Sequence, residues 1–140
     1  VDKYTGQTEV LDLFCVHDVG QVMNRTLSEG QVEGGAQMSL GQALFEEISY
    51  DAKGRVKTKN FSKYHIINAP DMPKVRSIFV EDGEPDGPYG GKSLGEIAAV
   101  APAPAVANAI NYALGSCFAS YPITPEKVVA YLEEKRKEGN

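Results

Sequence analysis

Between Ser28 and about Tyr50, apolar residues recur at every fourth position, at Val32, Ala36, Leu40, Leu44 and Ile48. That repeat nearly matches the helical turn, so it predicts one helix whose apolar stripe drifts slowly and faces the core. Upstream the pattern changes. Val10, Leu11, Leu13, Phe14, Cys15, Val16 and Val19 form an almost unbroken run rich in strand formers, which predicts a strand within Thr8 to Val19 covered on both faces. Val75 to Val80 predicts a second strand, and Arg55 to Lys59 a short polar one. A helix is expected to start near Pro104 and to run through Val106, Ile110 and Leu114 to Gly115. Thr124-Pro125-Glu126 supplies a cap, a proline at the first helical position and an acidic first turn for a last helix reaching about Lys137.

Turn and loop composition marks the rest. Asp51 to Gly54 reads as a turn, and Asn68 to Pro73 and the acidic Glu81 to Pro88 read as loops. Asp2 to Gln7 also reads as a turn, with Gly6 near its end. Placed before a strand, it suggests a hairpin whose other strand precedes Val1, so the chain is expected to be the tail of a longer one. The predicted class is α+β, with mixed strands packed against long helices.

The chain has 140 residues, one domain's worth, and a formal net charge of −5. Its cations are scattered, and the densest group, Lys135-Arg136-Lys137, closes a helix where positive charge offsets the macrodipole. No basic face for nucleic acid is therefore expected. Two cysteines, Cys15 and Cys117, make neither a disulfide framework nor a thiolate metal cage, which favours a reducing, cytoplasmic setting. No apolar stretch of membrane-spanning length is expected.

The candidate chemistry lies in two glycine-rich segments. Gly87-Pro88-Tyr89-Gly90-Gly91-Lys92-Ser93-Leu94-Gly95-Glu96 ends on a single carboxylate that leads into an apolar run. Glycines admit close backbone approach, and a Glu at the mouth of an apolar segment loses hydration, which suits a general base. Ser93 and Glu96 also have the spacing of a capping box, and both readings stand on the residues alone. The predicted long helix contains Gly30, Gly34, Gly35 and Gly41, each costing it about 1 kcal/mol relative to Ala, so a neighbouring helix or a ligand is expected to approach closely there. Gln31 has the spacing of a capping box with Ser28, and Thr26 and Glu29 have the same spacing and could cap the helix themselves.

With these motifs in place, the chain resembles the C-terminal part of the molybdopterin-binding subunit of the xanthine dehydrogenase and aldehyde oxidase family of molybdenum hydroxylases, over nearly all of residues 1–140. The match rests on His17-Asp18-Val19-Gly20, on Glu29 to Gly35 continuing through Gly41 to Glu47, on Asn60-Phe61 with Tyr64, on Gly87 to Glu96, and on Ala105 to Ile110. The resemblance implies that Glu96 is the catalytic base in the hydroxylation of an electron-poor carbon, and that Gln31 contacts the molybdenum cofactor, molybdopterin. It adds Gly34, Gly35, Lys92 and Ser93 as candidate cofactor-binding positions, with no protein ligand to the metal. His17 and Asp18 are kept as turn-tying residues, and His65 and Tyr89 have no assigned role. Arg25 stands where the family often has Pro, and Ser93 where Gly or Ala is frequent. The implied partners are the remaining molybdopterin-binding segment, iron–sulfur and FAD domains or subunits, and a small-molecule substrate. A metal-free scaffold that keeps the family's packing is the alternative.

Overall fold

The computed structural model describes residues 1–138. Two strands, β1 (Asp12–Asp18) and β2 (Lys74–Val80), pair in parallel from Asp12 beside Lys74 to Asp18 beside Val80. The connection between them carries the long helix α1 (Arg25–Leu44), making a βαβ unit, and α2 (Pro102–Leu114) and α3 (Pro125–Glu138) follow. Val32, Ala36 and Leu40 of α1 are fully buried. They pack with Leu13 and Cys15 of β1, with Ala103, Val106, Ala107, Ile110 and Leu114 of α2, and with Ile123 and Val128.

The strand prediction needs one correction. Only one face of β1 is covered: Leu13 and Cys15 point into the core, while Phe14 and Val16 on the other face are 62% and 58% exposed. The helices pack on a single side of this two-stranded sheet, and nothing in the described chain covers the other. Arg55 to Lys59 is not a strand either. Only Tyr50 and Val56 bridge, because the Asp51 carboxylate gathers the amides of Lys53 and Arg55 into a tight turn.

Helix α1 starts and stops earlier than expected. Asn24 is its cap, its side chain accepting from the Leu27 amide at 3.0 Å, so neither Ser28 nor Thr26 forms a capping box. Glu29 instead pairs with Arg25, one turn away. At the other end the Gly41 carbonyl accepts from both Phe45 and Glu46 amides, closing the helix at Leu44 and leaving Ile48 outside it and exposed. The Glu46 side chain folds back over Gly41, its carboxylate lying close to where a Cβ would stand.

α2 begins two residues before the expected Pro104 and ends on Gly115 in the left-handed conformation. Its first turn is capped from another helix: buried Ser39 of α1 accepts from the Ala103 amide at 2.8 Å. Contrary to expectation, Ile97–Leu114 is long and apolar enough to cross a membrane. It is, however, a 3₁₀ turn at Ile97–Ala99 followed by α2, whose apolar stripe is packed into the core.

Candidate active-site loop and helix face

The glycine-rich loop lies across the end of β1. Gly20 and Gly91 form a bridge, the Gln21 amide donates to Gly90 O at 2.9 Å, and the Lys92 amide donates to Val19 O at 2.8 Å. Gly20 has φ 60°, and a Cβ there would come within 2.3 Å of Gly90 O, so only glycine lets the loop approach this closely. Tyr89 and Gly90 both have positive φ, curling the loop back so that Gly90 O also accepts from Glu84.

A side-chain pair reinforces the contact. Lys92 Nζ donates to Asp18 Oδ2 at 2.6 Å, while Asp18 Oδ1 accepts from the Gly20 amide at 3.1 Å. The Lys92 hydrogen bond, aided by the Gly20 amide, holds the Asp18 carboxyl below its ordinary pKa, and the same bond raises that of Lys92. Asp18 thus ties the turn, as expected. Its neighbour His17 has a buried Nε2 without a partner among the described residues.

Past Lys92 the loop reaches α1. Gln31 Nε2 donates to Gly95 O at 2.8 Å, and Ala98 seats against Gly35, where a Cβ would stand 2.6 Å from Ala98 Cβ and 2.9 Å from its carbonyl carbon. Glu96 lies between these two contacts. Its carbonyl accepts from Ala99, but its side chain makes no capping hydrogen bond, so the predicted capping box with Ser93 does not form. The Glu96 carboxylate is exposed, and this chain by itself does not strip its hydration. Ser93 is exposed as well.

The structure therefore brings Gln31, Gly35, Lys92, Ser93 and Glu96 to one loop and the helix face beneath it. Gly34 is on that helix too, but no atom lies within 4 Å of where its Cβ would be, and the same holds for Gly30. Close approach within the chain thus accounts for Gly35 and not for Gly30 and Gly34, while Gly41 is met only by the flexible Glu46 side chain. Gln31 with its carbonyl oxygen uncommitted, the Ser93 hydroxyl and the bare backbone at Gly30 and Gly34 suit a flat, polar cofactor rich in hydrogen-bonding atoms. No cluster of three or more His, Cys, Asp or Glu able to hold a metal occurs among the described residues. Sequence reasoning did not find the Gln31 to Gly95 and Asp18 to Lys92 contacts; each joins residues more than sixty positions apart, and opposite charge on Asp18 and Lys92 was the only signal.

Residues 1–73 match the family model described as the molybdopterin cofactor-binding domain, and the chain belongs to that family. The chain is 45% identical over 114 residues to the xanthine dehydrogenase molybdenum-binding subunit of Escherichia coli O157:H7, covering 81% of this chain and 15% of that protein. It is 34% identical to the aldehyde oxidoreductase of Megalodesulfovibrio gigas, covering 95% of this chain and 14% of that protein. Among solved structures, quinoline 2-oxidoreductase from Pseudomonas putida 86 superposes with a TM-score of 0.91 at 35% identity, over 96% of this chain and 17% of its own. The chain thus spans about 15% of the length of the curated relatives it matches.

Proposed function

We propose that the chain is the C-terminal segment of the molybdopterin-binding domain of a molybdenum hydroxylase, in which Glu96 is the general base and Gln31, Gly34 and Ser93 belong to one wall of the cofactor pocket, while Gly35, seated on Ala98, and Lys92, paired with Asp18, hold the loop in place. The observation that carries this reading is the state of Glu96. Its carboxylate is free of any capping bond, while the backbone on either side is fixed to α1 through Gln31 at Gly95 and Gly35 at Ala98. A base needs a free oxygen on a fixed backbone, and this arrangement supplies both.

Bound molybdopterin would supply the two-electron oxidation of the substrate. The chain's own residues have simpler tasks. Glu96 accepts a proton at its carboxylate as the substrate carbon is hydroxylated, and Gln31, with one amide hydrogen on Gly95 O, presents its remaining donor and acceptor to the cofactor edge. The matched proteins are named for xanthine, quinoline and aldehyde, so the substrate class is an N-heterocycle or an aldehyde. Iron–sulfur and FAD centres on other domains or subunits carry the electrons away. The unpaired Cys15 and Cys117 suit a cytoplasmic enzyme.

Glu96→Gln in the complete enzyme tests the assignment. The amide keeps size but cannot take the proton, so turnover is expected to fall by roughly a hundredfold to ten-thousandfold at unchanged molybdenum content. Near-normal turnover at matched molybdenum would remove Glu96 from the chemistry.

A further inference from the structure

Glu96 is held on α1 from below, through Gln31 at Gly95 and Gly35 at Ala98, and the loop ahead of Gly95 has a position of its own. That position is set four residues earlier, where the loop leaves the end of β1. The last backbone contact there is the Lys92 amide on Val19 O, and the Lys92 side chain turns back over the same strand end to Asp18. Acidic residues surround this cation: Asp18 from β1, and Asp82 and Glu84 from the segment that enters the loop. Without Lys92, the Asp18 carboxylate would lose its partner at the contact that anchors the loop.

We propose that Asp18 and Lys92 are a positioning pair that sets the reach of Glu96 by fixing the loop's departure from β1. The inference rests on the reading of Glu96 as the base. As an exposed ion pair, with 41% and 29% of the two side chains accessible, it contributes little to stability. Its effect lies in geometry. A general base has to lie within hydrogen-bond reach of its proton, and a displacement of about 1 Å can cost a hundredfold in rate.

The test uses the complete, molybdenum-loaded enzyme with Lys92→Met, Asp18→Asn, the double variant and Lys92→Arg. It reads the rate of substrate-driven reduction of the metal centre, the molybdenum content and the deuterium exchange of the 87–96 backbone. Lys92→Met is expected to slow reduction by roughly tenfold to a hundredfold with molybdenum content and melting temperature near wild type. Exchange should rise at Lys92 and in its neighbours and stay unchanged in α3. Asp18→Asn moves both readouts the same way by less, the double variant is no slower than Lys92→Met, and Lys92→Arg, which keeps the cation, recovers most of the rate. Unaltered 87–96 exchange in Lys92→Met overturns the proposal, since the pair then holds nothing. So do additive losses in the double variant, or a rate loss accompanied by lost molybdenum and normal exchange, which is the pattern of a lysine acting on the cofactor directly. Failure of the base assignment is separable: Glu96→Gln would keep its turnover, whereas the exchange readout does not depend on Glu96.

Discussion

Gly34 and Gly35 are adjacent on α1 and have opposite surroundings. Gly35 belongs to the closed face, where Val32, Ala36, Ser39, Leu40 and Ala43 are buried and the backbone of Ala98 leaves no room for a Cβ. Gly34 belongs to a face on which Leu27, Gln31 and Met38 follow at three- and four-residue spacing and all are exposed. The packing of this chain explains the first set of residues completely. It does not explain why the second combines two bare glycines, Gly30 and Gly34, with two large apolar side chains that face water. Under the proposed function, this face is the surface that the cofactor completes. On this helix, that surface adjoins the loop that carries Glu96.

Substitution of each glycine tests the contrast. Gly35→Ala should be the more damaging, because the new methyl meets backbone and not a flexible side chain. Overpacking typically costs about 1–3 kcal/mol and a helical Gly to Ala change returns about 1 kcal/mol, so the complete subunit should lose up to about 2 kcal/mol in denaturant unfolding. A gain in stability would show that the contact at Ala98 yields freely and that the closed face is not closed. Gly34→Ala has the smaller effect on the fold. Helix propensity alone predicts a gain of about 1 kcal/mol. If the open face is a cofactor wall, molybdenum content falls in the same variant; a plain gain with molybdenum unchanged would make Gly34 incidental.

The same division explains how much of the molecule was readable from its sequence. The apolar stripe from Val32 to Leu44, the proline start of α3 at Pro125 and the Gly115 stop of α2 were all legible, because each depends on residues a few positions apart. The run around β1 was misread as doubly covered, because the residues Phe14 and Val16 record an apolar environment that this chain does not provide. The end of α1 was misplaced because the Gly41 contact with Glu46 replaces another helical turn, and a four-residue repeat carries no sign of it. Glu96 was legible as a candidate base, beside the capping reading, from its glycine-rich loop, whereas the role of Gln31 came through a family resemblance. The contacts of Gln31 with Gly95 and of Gly35 with Ala98 come from tertiary packing of α1 on the chain after β2, which no local motif encodes.

The central claim is that the loop from Lys92 to Glu96 and the open face of α1 form a wall of the cofactor pocket. Deuterium exchange of the complete subunit, measured with the molybdenum cofactor bound and after its removal, tests this most directly. The account predicts that backbone amides from Ser93 to Glu96 exchange faster once the cofactor is gone, while those of α3 stay as they were. Equal exchange of the 93–96 segment in the two forms would contradict it.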